Sequence, residues 1–221
     1  MIQRAGKGSP ADMESLCAQY WYHLYAYASR AGSRPEDAED LTQAFVSKLI
    51  EKQWVEQAAD QDCTLRSFLL VRFKRFLNDE REKGLALKRG GGVAHVPIHL
   101  EEVEERYTTE PVDPGMTPDQ LFNRAWATSV LDRVLEMLQK EFAQSGKDRE
   151  FVALQPCLAW NENTKTYQEI AQQIGRGEGW VKVAVSRMRK RYRKLLEQEV
   201  ANTVAGSDIE QEMENLHQAL K

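Results

Sequence analysis

The 221-residue sequence predicts an all-α fold of two small helical domains joined by a long flexible linker. Three observations predict it. Apolar residues recur at three-to-four spacing in separate blocks, the period of helices with one buried face. No stretch sustains the period-two alternation of a half-buried strand. Between the blocks, the segment 84–117 holds Gly90, Gly91 and Gly92, then Pro97, Pro111 and Pro114, and an acidic run. Unstructured segments beyond about 12–15 residues are uncommon inside compact domains, so this one reads as a boundary.

The elements follow in order. Ser9-Pro10 is a cap-plus-proline start, and Met13, Leu16, Tyr20 and Tyr27 follow at helical spacing until Gly32. Ser33 is the expected cap of a second helix, with Pro35, Glu36 and Asp37 in its first turn, where acids favour the helix dipole. Its apolar positions are Ala38, Leu41, Phe45 and Leu49, and it should end near Gln53. A third helix, amphipathic and basic, is expected from Thr64 through Leu65, Phe68, Leu69, Phe73, Phe76 and Leu77 to about Lys83. After the linker, Thr117-Pro118 starts a helix carrying Leu121, Ala125, Val130, Leu131, Val134, Leu135 and Leu138, broken at Gly146. A further helix is expected over 148–158, then a short one ended by Gly175, then a long one from Glu178. The resulting domains are 1–84, a linker 85–117, 118–200 and an acidic C-terminal helix within 201–221.

Hydrophobic residues make up 42% and charged residues 29%, enough apolar material to exclude wholesale disorder. The longest apolar runs, such as Phe68-Leu69-Leu70-Val71, fall far short of the about 20 residues of a membrane span. No secretory signal is expected, since Met1 to Lys7 has no apolar core. Cys17, Cys63 and Cys157 are odd in number and far apart, which suggests reduced thiols in a cytoplasmic protein.

The net charge of −4 hides segregation. Thr64 to Gly91 has eight Lys/Arg against three acids, and Arg176 to Lys194 has eight against Glu178 alone. His95 to Asp119 has seven acids against Arg106, and the last 25 residues have six against Lys221. Two basic islands in an acidic chain point to two polyanion contacts, although each is also what a solvated helix face would carry.

The stretch from Tyr167 to Tyr192 is the most informative. A short helix turns Ile170, Ala171 and Ile174 inward. A turn follows at Gly175, and the next helix carries Val181, Val185, Met188, Tyr192 and Leu195 on one face. This is the pattern of a helix-turn-helix, whose second helix enters the major groove. Its outward residues are Trp180, Lys182, Ser186, Arg187 and Lys190, with Arg176 in the turn.

The pattern Tyr167-x-Glu169-Ile170-Ala171-x-x-Ile174-Gly175-x-x-Glu178-Gly179-x-Val181-Lys182 resembles region four of bacterial sigma-70 family factors. Asp37-Ala38-Glu39-Asp40-Leu41-Thr42-Gln43-Ala44-Phe45 resembles the polymerase-binding helix of region two. Leu65 to Leu69, continuing through Asn78 to Arg81, resembles the helix that opens and reads the minus-ten element. Region two, linker and region four, with no region three, is the order of extracytoplasmic-function (ECF) sigma factors. Lys88-Arg89-Gly90-Gly91-Gly92 and the acidic tail resemble a branch with an extended C-terminus. Gly177 and Trp180 depart from the family pattern, which commonly has a capping Ser or Thr and a small polar residue there.

The resemblance implies a non-enzymatic transcription initiation factor with core RNA polymerase and promoter DNA as partners, and an anti-sigma factor as a further candidate. It assigns polymerase binding to Asp37, Asp40, Gln43, Ala44 and Phe45, with Leu41 expected in the core. It assigns minus-ten contacts to Lys74, Arg75, Asn78 and Arg81. Minus-thirty-five contacts fall to Arg176, Trp180, Lys182, Ser186, Arg187 and Lys190. Phe73 and Phe76 are expected in the core. No cofactor or metal is implied: His95 and His99 lack cysteine support, and the triple glycine lacks a phosphate-loop ending. The competing readings are a stand-alone helix-turn-helix regulator and a sigma-like decoy that binds an anti-sigma factor. The acidic run Glu101-Glu102-x-Glu104-Glu105 is read either as an RNA mimic or as a tether.

In the tail, Ser207 and Glu210 have capping-box spacing. Ile209, Met213, Leu216 and Leu220 form an apolar stripe, opposite Asp208, Glu210, Glu212 and Glu214. The expected seat for this helix is region four, with its acids facing the second basic island, where it either tunes access to DNA or polymerase or only completes the domain core.

Overall fold

The computed structural model describes residues 10–55, 63–86, 115–158, 165–204 and 209–221. The described residues are all-α, with one isolated antiparallel bridge between Thr64 and Val204. The helices are α1 (Pro10–Arg30), α2 (Pro35–Glu51), α3 (Leu65–Ala86), α4 (Pro118–Gln144), α5 (Asp148–Leu154), α6 (Tyr167–Ile174), α7 (Glu178–Ala201) and α8 (Ile209–Ala219). A 3₁₀ turn, Gln155–Leu158, follows α5. No described helix is long and apolar enough to cross a membrane.

The chain forms two compact units: Met1–Thr128 with Ala201–Lys221, and Ser129–Val200. The division falls inside α4, beyond the expected boundary at Pro118, and the last 21 residues belong with the first unit. The glycine run, His95, His99, the linker acids, Lys88, Arg89, Ser9, Ser207 and Asp208 lie outside the described residues.

In the first unit, α1 is apolar nearly all round between Tyr20 and Ala28, and every residue there is buried. A helix of that pattern belongs in the middle of a bundle. Gly32, at φ +95°, ends α1 where an L side chain would be strained, and the Ser33 amide donates back to the Ala28 carbonyl at 3.1 Å. The cap of α2 is Arg34, not the expected Ser33, and it makes no side-chain capping bond. Pro35 presets the first turn instead, and Arg34 bonds Asp37 at 2.8 Å.

Phe45 is the centre of the α2–α3 packing. Its ring lies 4.9 Å from that of Phe73, 5.6 Å from Phe76 and 6.0 Å from Trp54. Phe73 and Phe76 are buried, as expected of core residues. Leu41 is only half-buried, because the inward stripe of α2 runs through Ala38, Thr42, Phe45 and Leu49. α4 begins as its sequence predicts: the Thr117 amide donates to Gln120 at 2.8 Å, and the Gln120 amide donates to the Thr117 hydroxyl at 3.3 Å.

The tail corrects the sequence reading. α8 packs in the first unit, not on the second basic island. Glu212, expected on a solvated acidic face, is 0% exposed and grips Arg66 of α3. Leu216 is buried and Met213 half-buried, whereas Leu220 is exposed. The Leu65 amide donates to the Thr203 carbonyl at 3.0 Å, tying the chain that follows α7 to the start of α3. Periodicity identified the stripe but not the seat, because the anchor is Glu212, whose partner is a single buried charge far away in sequence.

Two outcomes test this packing. Phe45→Ala empties the ring cluster and should cost about 3–5 kcal/mol in denaturant unfolding. The Tyr27 hydroxyl donates to Asp119 at 3.1 Å, and burial, then the Asp119 charge, push its pKa from 10.0 to about 12. Its contribution to stability is complete below pH 10.0 and is lost as pH rises through about 12. Tyr27→Phe should therefore remove one phenol from the fraction titrating near 12, read by ultraviolet difference absorbance.

Candidate nucleic-acid interface

The helix-turn-helix lies within the second unit. Thr166 caps α6 with a complete capping box: its hydroxyl accepts from the Glu169 amide at 3.3 Å, and its own amide donates to the Glu169 carboxylate at 2.7 Å. Those bonds from the Thr166 amide and hydroxyl hold the Glu169 carboxyl below the usual carboxylate range. Gly175 ends α6 in the left-handed conformation, at φ 67° and ψ 36°. The Gly175 amide returns to α6, and the Arg176 amide donates to Ala171 at 3.0 Å. The turn is thus closed by backbone bonds, and the chain leaves it at a fixed angle into α7.

The Val181 amide donates to the Gly177 carbonyl at 3.2 Å, so Gly177 stands at the cap of α7 without a side chain to bond. Val181, Val185, Met188, Leu195 and Leu196 are buried. Tyr192 is half-buried, and burial, then the Asp132 charge, push its phenol to about 12.

The basic residues of α7 divide by role. Arg189 donates twice to the Cys157 carbonyl, at 3.0 and 2.7 Å, and anchors the helix to the 3₁₀ turn. Arg191 forks onto Glu141 of α4, and its hydrogen bond there depresses the Glu141 carboxyl. Those two cations hold the unit together. Lys182, Ser186, Arg187 and Lys190 are exposed on the outward side. Lys182 is paired with Glu178 at 2.8 Å, whereas Arg187 and Lys190 have no ion-pair partner among the described residues. Arg176 lies 3.8 Å from Glu150, and its guanidinium sits 5.5 Å from the centre of the Trp180 ring. Trp180 is 37% exposed.

Comparison with protein-family models, curated proteins and solved structures found no match. Residues and geometry therefore carry the functional reading.

One feature of the second unit escaped the sequence. Val183 is 49% exposed beside Trp180, and both line an open groove of about 680 Å³ with Phe142, Leu154, Arg187 and Met188. The available signal was Val183 itself, an apolar residue off the inward stripe of Val181, Val185 and Met188.

In the first unit, α3 presents Arg75 and Asn78 exposed on its outer surface. Lys74 is paired with Asp119 at 2.8 Å, and Arg81 donates to the Ala31 carbonyl at 2.6 Å. The guanidinium of Arg72 lies 5.0 Å from the Trp54 ring and 5.2 Å from that of Phe68. The five expected polymerase-binding residues do not share a surface. Asp40 is exposed, Asp37 and Ala44 are half-buried, Gln43 is 6% exposed and Phe45 is 0% exposed. Phe45 and Gln43 therefore leave the candidate face, because α2 turns that stripe toward the core. The face that remains is Asp37, Asp40 and Ala44.

Gly175 offers a clean test of the turn. A Cβ there would meet nothing within 4 Å, so any penalty comes from the backbone alone. Gly175→Ala should cost about 1–2 kcal/mol in equilibrium unfolding without displacing a neighbour.

Proposed function

We propose that this chain is a transcription initiation factor of the ECF sigma type, which binds core RNA polymerase and directs it to promoters. The observation that carries the reading is the turn at Gly175, which joins capped α6 to α7 with Trp180, Arg187 and Lys190 exposed along it. A helix presented this way fits a major groove, with the cations on phosphates and the indole against base edges. In the first unit, Arg75 and Asn78 of α3 supply what an opened minus-ten strand requires: a charge for the backbone and an amide for a base edge. Such a factor makes and breaks no covalent bond. Its work is to hold DNA and polymerase.

The direct experiment mixes the chain with core RNA polymerase and promoter templates, and measures run-off transcripts. Promoter-dependent transcripts are expected. A palindromic site bound by a dimer without polymerase would instead identify a stand-alone regulator. Arg187→Ala and Lys190→Ala should each weaken upstream-element binding and reduce its salt slope by about one unit for each phosphate that is no longer neutralised. Unchanged slopes in both variants would remove α7 as the DNA reader.

A further inference from the structure

The start of α3 is covered from within its own unit. Glu212 of α8 takes both forks of the Arg66 guanidinium: Nε donates to Oε1 at 3.1 Å and Nη2 to Oε2 at 3.0 Å. Nη1 donates to Asn123 of α4, and the guanidinium carbon lies 4.7 Å from the Trp126 ring centre. Asn215 donates to Glu212 at 2.8 Å. The Arg66 side chain is 8% exposed and that of Glu212 0%. Two parallel bonds from a guanidinium to a planar anion are also how arginine grips a phosphate. Eight residues along α3, Asp119 of α4 pairs with Lys74 at 2.8 Å. Arg66, Lys74 and Arg81 fall on one broad side of the helix. Two cations on that side are thus neutralised by carboxylates of the same chain.

We propose that α8 is an autoinhibitory cover: Glu212 holds Arg66 where a nucleic-acid phosphate would, and departure of α8 adds Arg66 to the side of α3 that carries Lys74 and Arg81, the side opposite Arg75. The inference rests on the nucleic-acid reading of α3 given above. α8 is built to leave. Its 11 residues are too few for a stable isolated helix, so its helicity depends on its seat. That seat has few anchors: Glu212 and Leu216 buried, Ile209, Met213, Asn215 and Ala219 half-buried, and Glu210, Gln211, Glu214, His217 and Gln218 exposed. Few buried apolar contacts mark a segment that opens locally before the rest of its unit. An open cavity of about 440 Å³ reaches Arg66 between α4 and α8, lined by Gln120, Asn123, Asn215, Gln218 and Lys221. Once Glu212 departs, the cation needs another anion, since a charge left buried without a partner is strongly unfavourable.

The test uses the full chain and a mixed-sequence single-stranded DNA oligonucleotide of about 20 nucleotides, a probe that needs neither polymerase nor a promoter. In Glu212→Gln, amide exchange across 209–219 should accelerate about ten-fold or more while α1 and α2 keep their protection. Binding at about 0.1 M salt should tighten about 3- to 10-fold, and the salt slope should steepen by about 0.7, the increment of one phosphate neutralised on a single strand. Adding Arg66→Met to Glu212→Gln should abolish the gain. Arg66→Met with Glu212→Leu, which keeps an apolar seat for α8, should show none.

Three results would each overturn the proposal: a released tail with unchanged or weaker binding, a gain that survives Arg66→Met, or unaltered exchange across 209–219 in Glu212→Gln. Loss of protection through α1 and α2 together would also sink it, since the tail would then be part of the core. Absence of promoter-dependent transcripts from the wild-type chain would defeat the sigma reading without changing any of these arms.

Discussion

A charge taken out of water must bring its partner with it, and the Arg66–Glu212 pair imposes that requirement on the first unit. The partners lie 146 residues apart in sequence. Their bond recruits Asn123 and Asn215 as supporting groups and places the Trp126 ring against the guanidinium. It joins α8, the first turns of α4 and the start of α3. Apolar packing around Phe45 supplies bulk stability, but hydrophobic contact is not directional. The ion pair supplies the selectivity that seats one short helix in one place.

The same division of labour explains the basic islands. A count of lysines and arginines treats every cation as available. In α7, Arg189 is spent on the Cys157 carbonyl and Arg191 on Glu141, and only the outward residues remain for a ligand. In α3, Arg66 and Lys74 are engaged while Arg75 stays exposed. Arginine suits the holding role because its planar fork satisfies two acceptors at once.

Features encoded locally were legible in the sequence. Thr117-Pro118, Gly32, Gly146 and Gly175 punctuate the helices where propensity and positive φ demand, and the inward stripe of α7 follows its 3.6-residue period. What depended on distant partners was not legible. α2 carries apolar and polar residues on nearly every side, so the expectation of Leu41 in the core and Gln43 on the surface did not hold: Gln43 is buried and Leu41 half-buried. Arg66 reads as one more cation of a basic run until its glutamate is known. Asp119 closes the linker's acidic run in the sequence, yet it serves as the acceptor for Tyr27 and Lys74.

The return of 201–221 to the first unit also has a consequence for the order of folding. The second unit is a single contiguous stretch, so its contacts can form as soon as Val200 has been made. The first unit is split, and its last helix arrives after the whole of the second. Closing so long a loop is entropically slow, and a chain made from its N-terminus must wait for it. On the ribosome, Arg66 therefore lacks its carboxylate partner from its own synthesis until that of Glu212. The nascent protein passes through a stage in which α3 exists without α8, and synthesis of α8 ends it.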